Sequence, residues 1–446
     1  MSANSRRAVY RRRHGLMKKS STPNALRNRI FLKIWLASVV SGTAVAAHDT
    51  AATWMMSLVS QSGLFISLMT SLASLPFFLL TLPAGALADG FNEGRILRAA
   101  NLWLAGSAGV LALLGWAGIL NPFLLLAGVF LMGVGFAINA PAWASLVPQV
   151  VTGEELPSAS ALSGVQLNIS GILGPALAGL LLAKVGAPFV FTLNATGFLL
   201  VLMAIPNVSK TSRDSSRTLK GFASSISSAF SYVWQTQSVR KILLRYAIFS
   251  SFVVVVPALM PVLLLKELRL DGSSLGLVFA SMGVGSLISA FFVLPWLRSR
   301  FSTDALMLIA QGTLASVYLL MALVHHCVYC LIPMALAGAS WTIAASELWV
   351  VAQQAIQNSV LGRISALMMV LSQGAMALGG AAWGLSAEIW GTRLTLLAAA
   401  FLFIVTTILS TFFLRFSQRA SMRHESFHGI DALTSTMTTN FARDVE

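Results

Sequence analysis

Twelve apolar runs, each long enough to cross a bilayer, decide most of what this chain can become. They fall near residues 30–58, 63–88, 96–117, 122–144, 159–183, 187–206, 241–265, 273–297, 303–325, 328–350, 363–386 and 391–414. At about 1.5 Å per helical residue such runs match the roughly 30 Å of bilayer hydrocarbon. Only helices or closed barrels satisfy their backbone there, and unbroken apolar runs of this length read as helices. Hydrophobic residues make up 56% of the 446 positions and charged residues 10%, where a soluble domain carries about 25% charged. A soluble enzyme and a nucleic-acid-binding domain are both incompatible with that balance. The predicted fold class is an all-α polytopic membrane protein with twelve transmembrane helices.

The chain also looks duplicated. Ser160 to Gly186 reads SALSGVQLNISGILGPALAGLLLAKVG, and Ser365 to Gly391 reads SALMMVLSQGAMALGGAAWGLSAEIWG. Gly174, Gly179 and Gly186 recur as Gly379, Gly384 and Gly391 at one offset (379 − 174 = 205; 391 − 186 = 205). Asn168 falls opposite Gln373, an amide at the same height of each copy. Pro175 removes a backbone donor and the glycines admit a neighbouring backbone. Both stretches are therefore expected to be close-packed helices at a sliding interface, and that of Pro175 to be bent.

Five segments follow: 1–29, a basic tail; 30–206, an N-terminal six-helix half; 207–240, a linker with an amphipathic helix; 241–414, a C-terminal six-helix half; and 415–446, a polar tail expected to be disordered. In the linker Leu219, Phe222, Ile226, Phe230, Val233 and Trp234 fall at three- and four-residue spacing, as in a helix lying among headgroups. The first tail carries nine Arg and Lys residues and no acid, which beside a membrane span predicts anionic-lipid contacts rather than nucleic-acid binding. With the N-terminus inside, most loop arginines and lysines fall on one side, and only Lys184, Lys266, Arg269 and Arg393 on the other. Both termini are thus expected in the cytoplasm of a bacterial cell, with the spans in its inner membrane. The net charge of +15 is mostly this topological signal. No cleavable leader is expected, since the first apolar run starts only near Ile30.

Ionisable residues inside spans are functional candidates by default, because a charge in hydrocarbon costs several kcal/mol unless paired or hydrated. His48 and Asp49 sit about 100° apart on the first span and can face a cavity together. They read as a proton-binding pair, as a packed helix–helix hydrogen bond, or as a metal contact. Arg245 and Glu347 lie in the seventh and tenth spans. Arg245 either pairs with Glu347 or reaches the headgroups. Asn139, Gln166, Asn168, Asn194, Gln311 and Gln373 supply uncharged polar groups, most of them expected as structural glue. Methionines and aromatics, among them Trp143, Phe252 and Trp341, could furnish an adaptable apolar pocket.

Two six-span halves with a parallel internal repeat form the plan of the major facilitator superfamily, and the motifs support the resemblance. Gly85-Ala-Leu-Ala-Asp89 resembles that superfamily's loop signature, in which the aspartate helps to latch the cytoplasmic gate. Gly174-Pro175-Ala-Leu-Ala-Gly179 resembles the helix 5 signature of its antiporters. Ala137-Ile-Asn139-Ala-Pro141-Ala-Trp143, Leu361-Gly-Arg363 and Trp383-Gly384 look like the branch of the enterobactin exporter and its drug-efflux relatives. The resemblance implies that the fourth, seventh and tenth spans line the cavity with the first. It puts Asn139, Trp143, Asn168, Phe252, Trp341 and Gln373 among the substrate-cavity residues, and Asp89, Gly174, Pro175, Gly179, Arg245, Arg363, Gly379 and Gly384 among the gating ones. The chain departs from the pattern at Gly90-Phe-Asn-Glu-Gly94, which lacks the usual arginines, and at Val129 and Gly171, where many relatives carry arginine. Proton coupling therefore falls to Asp49, His48 and Glu347.

The remaining chemistry is thin. His325-His326-Cys327-Val-Tyr-Cys330 has metal-ligand types in one short loop without a second cluster. Gly338-Ala-Ser340 lacks a histidine at matching depth, and neither a dinucleotide nor a nucleotide loop is present. No cofactor, resident metal or enzymatic activity is expected. The expected function is proton-coupled export of a small amphipathic organic molecule, siderophore-like or drug-like, by a monomer working through alternating access. Efflux of a divalent metal such as nickel or cobalt is the alternative, and a non-transporting sensor or scaffold belongs to a different class.

Overall fold

The computed structural model describes residues 25–90, 92–205, 231–356 and 361–414, without side chains at 86–90, 354–355 and 361–363. Twelve helices long and apolar enough to cross a membrane lie among them. They are α1 (Arg29–Val59), α2 (Gly63–Gly90), α3 (Glu93–Trp116), α4 (Pro122–Val150), α5 (Leu156–Lys184), α6 (Ala187–Ala204), α7 (Gln237–Glu267), α8 (Gly272–Arg298), α9 (Thr303–Leu323), α10 (Val328–Ala355), α11 (Leu361–Trp390) and α12 (Thr392–Phe413). α1 starts and α12 ends at one face of the bundle, here the terminal face; the opposite one is the far face. Residues 1–24 of the first tail, the tail 415–446 and residues 207–230 of the linker, with Leu219, Phe222, Ile226 and Phe230, lie outside the described residues. α7 begins at Gln237 rather than at 241, with Tyr232 and Val233 packed on its first turns and Trp234 exposed.

Local chemistry sets the helix ends. Asn28, Asn92, Asn121, Asp271 and Ser302 precede α1, α3, α4, α8 and α9, and each side-chain oxygen accepts from a first-turn backbone N–H, which would otherwise be orphaned. Hydrogen bonds from Ser273 and Ser274 also hold the Asp271 carboxyl below its ordinary range. Gly186 and Gly391, 205 positions apart, precede α6 and α12 at φ 81° and 85°, a region that β-carbon-bearing residues avoid.

The duplication is visible in packing. A Cβ on Gly174 of α5 would strike Ala46 and the Thr43 carbonyl of α1, and one on Gly179 the Ser273 carbonyl of α8 at 2.9 Å. In the other half a Cβ on Gly379 of α11 would meet the Ser251 carbonyl of α7 at 3.0 Å, and one on Gly384 would meet Ser67 of α2 at 2.5 Å. Each copy thus spends its first glycine inside its own half and its second across the seam. Without a hydrophobic drive between helices in lipid, such backbone approach is a main source of association.

The halves meet along α2 with α11 and α5 with α8. Among the described residues every cross-half hydrogen bond lies on the far side: Ser67 to Ala258 O, Thr70 to Pro257 O, Leu64 N to Glu388, and Lys266 to Ser57 O and Ser60 O. Toward the terminal face the seam parts. Leu167 of α5 is 68% exposed, and a Cβ at Gly164 or Gly85 would meet nothing within 4 Å.

α7 is broken at Val254 and ends in a π-turn over Leu263–Glu267. Pro257 and Pro261 have no N–H, so carbonyls one turn earlier lose their helical donors. Neighbours supply donors around the break: Trp383 Nε1 to Ser251 O at 2.8 Å, Tyr318 OH to Phe252 O at 2.8 Å, and Thr70 to Pro257 O at 3.2 Å.

Candidate transport site

Asp49 lies 20 residues into α1 (49 − 29) and 10 from its far end (59 − 49). The sides of α1 are identified by what they touch. Gly42, Thr43 and Ala46 meet α5, while Ser41, Ala44 and His48 meet α6. Leu36 and Val40 are each 50% exposed. At about 100° per residue Asp49 projects roughly opposite Val40. It is exposed although Ala47, His48, Thr50 and Ala51 around it are buried. Among the described residues its carboxylate has no ion-pair partner.

His48 does not share that environment, which corrects the expectation of a common cavity. It is 1% exposed, with its ring centroid 4.7 Å from that of Phe191 on α6. Neither ring nitrogen has a hydrogen-bond partner, nor does the amide of Asn194, one turn along α6. A packed helix–helix hydrogen bond is therefore not what His48 makes.

Arg245 and Glu347 are both buried and do not meet. Arg245 Nη1 donates to Asp304 Oδ1 at 2.6 Å, and Arg298 Nε to Glu347 Oε1 at 2.7 Å. Headgroup snorkelling of Arg245 is overturned as well, because its side chain is only 1% exposed. The earlier start of α7 places Arg245 two turns inside, where Asp304 in the first turn of α9 reaches it.

The cavity candidates divide. Asn139 and Gln373 are half-buried, without side-chain hydrogen bonds to the described residues, and Asn168 bonds back to Gly164 O of its own helix. Trp143 packs beside the cluster of Leu97, Ala142 and Leu146, and Trp341 lies against the C-terminal core. Phe252 belongs to that core, stacked on Phe403 at 4.7 Å. Pro175 is buried within α5, its carbonyl against Gly276 of α8. The side chains of Asp89 and Arg363 lie outside the described residues.

Among the described residues no group of three His, Cys, Asp or Glu could hold a metal ion. His325 is instead held by Arg393 at 3.0 Å, which also bonds Glu267, Ala322 O and Val324 O. Asp304, Arg298, Lys266 and Glu388 were missed by sequence reasoning. Their signal was charge within a turn or two of a span end, where lysine and arginine ordinarily report topology alone.

Comparison with known proteins agrees with this architecture. The family model described as transmembrane secretion effector matches residues 20–435. The staphyloferrin A transporter of Staphylococcus aureus (strain NCTC 8325 / PS 47) is 23% identical over 388 residues, covering 84% of this chain and 94% of its own. Macrolide efflux protein A of Streptococcus pyogenes is 26% identical over 151 residues, 34% of this chain and 37% of its own. Among solved structures, a variant of the nucleoside transporter NupG superposes with a TM-score of 0.73 at 12% identity, over 86% of this chain and 99% of its own. The chain therefore belongs to the transmembrane secretion effector family of the major facilitator superfamily and is a membrane transporter, not an enzyme.

Proposed function

We propose that this transporter exports a small amphipathic organic molecule, siderophore-like or drug-like, from a bacterial cytoplasm in exchange for protons. The observation that carries the reading is Asp49, an exposed carboxylate within a membrane-crossing helix, 20 residues from one end and 10 from the other. A carboxylate there can bind a proton when water reaches it and be closed off when the halves rock. The names of the two relatives supply the substrate classes, a siderophore and a macrolide. Arginine and lysine crowd the terminal ends of the described helices, at Arg29, Lys33, Arg95, Arg98, Arg240, Lys241, Arg298 and Arg300. That asymmetry supports a cytoplasmic terminal face. The far-side seam contacts then belong to a conformation open to the cytoplasm, one limb of alternating access.

The reading is tested by expressing the chain in a strain stripped of its own exporters. Retention of labelled siderophores and macrolides is compared with that of nickel and cobalt, with and without a proton uncoupler. Uncoupler-sensitive loss of an organic compound supports it. Loss of metal alone supports the metal-efflux alternative instead.

A further inference from the structure

The turn between α1 and α2 ends one helix and starts another within four residues, Val59 to Gly63. The last carbonyls of α1 and the first N–H groups of α2 lack helical partners there and carry opposite partial charges. Both sets are met by ions from the other half. Lys266, in the π-turn that closes α7, donates its Nζ to Ser57 O at 2.8 Å and to Ser60 O at 2.5 Å. Glu388, in the last turn of α11, accepts from Leu64 N at 3.2 Å, sharing that N–H with the local cap Ser62 Oγ at the same distance. The cation thus sits on a helix C-terminus and the carboxylate on a helix N-terminus, each in the favourable sense.

The surrounding residues fit the same contact. Gly63 has no side chain, and a Cβ there would strike Val262 at 2.7 Å and lie 3.8 Å from Glu388 Oε2. One and two turns further along α2, Ser67 and Thr70 bond carbonyls of α7, one of them freed by Pro261. The two ions crown a polar seam in which each side chain is partnered by a backbone group rather than by an opposite charge. Such a seam can part without leaving unpaired carboxylates, since the α1 and α2 termini and the side chains of Lys266 and Glu388 can all take water instead.

We infer that Lys266 and Glu388 form the far-side gate latch of this transporter, two ions of the C-terminal half that grip the termini of α1 and α2. They hold the halves together in the terminal-side-open conformation and release them as the far side opens. The inference rests on the alternating-access reading above.

Pulsed electron-spin distance measurements across the gate test it. Spin labels go on the exposed Gln61 and Arg269 of the full chain in lipid nanodiscs, after Cys327→Ser and Cys330→Ser. The parent protein should show a short and a long distance. Lys266→Met and Glu388→Gln should each raise the long-to-short ratio by about tenfold, the weight of one charged hydrogen bond. The double variant should raise it further, while the control Lys184→Met leaves it unchanged. A parent with two distances whose ratio ignores Lys266→Met and Glu388→Gln overturns the latch alone. A parent with one distance at every pH and substrate addition overturns the alternating-access reading and, with it, the release step. If a variant elutes as aggregate, Lys266→Arg takes its place. Arginine keeps the charge, so a ratio held at the parent's value supports the latch, and a ratio as high as that of Glu388→Gln overturns it.

Discussion

His48 and Asp49 are consecutive on α1, yet the histidine packs on Phe191 inside the N-terminal half while the carboxylate is exposed. One step of about 100° around a helix separates a core position from an exposed one. The ring nitrogens of His48 are buried without partners, and such groups cost about 1–3 kcal/mol each. His48→Leu is therefore expected to leave the thermal midpoint of the purified protein unchanged or raise it, with transport retained. A fall of several degrees, read by tryptophan fluorescence, would mean that the imidazole holds a partner.

How much of this was legible in the sequence differs by level. The twelve spans and the two halves follow from apolar length and from the 205-residue echo, whereas the four glycines read as one sliding interface and only Gly179 and Gly384 cross the seam, Gly174 and Gly379 packing inside their own halves. The partners of charged residues were not legible. Arg245 and Glu347 looked like mates from their spans, but each found an ion at the end of an adjacent helix, Asp304 and Arg298. Helix order in a sequence does not say which ends touch. Phe252 read as a pocket aromatic because seventh spans line cavities, and the break at Val254 turned it into the core instead.

The Arg245–Asp304 pair is a stability device. Removing one partner of a buried pair costs up to about 3–5 kcal/mol, an upper bound here because Asp304 is 25% exposed at its side chain and Arg245 also bonds Leu414 O. Arg245→Ala and Asp304→Ala should each lower the thermal midpoint strongly, and Arg245→Met with Asp304→Leu should recover most of it. Equal losses in single and double variants would show that the pair acts through something other than mutual compensation.

The glycine echo separates stability from motion. Gly174→Ala and Gly379→Ala press on a neighbour inside their own half and should cost about 1–3 kcal/mol of stability. Gly179→Ala and Gly384→Ala press on the seam. They should leave each half folded and slow transport more than tenfold at normal membrane levels. Wild-type flux in Gly384→Ala would remove the seam from the mechanism.

Proton coupling through Asp49 is the central claim. The direct measurement is uptake of a labelled substrate into everted or reconstituted vesicles under an imposed pH difference, with Asp49→Asn beside the parent. Asparagine matches the carboxyl in shape and takes up no proton, so substrate binding and downhill exchange should persist while accumulation against the gradient falls to background. Accumulation by Asp49→Asn at the parent's level would contradict the account and direct the search for the proton site to Glu347.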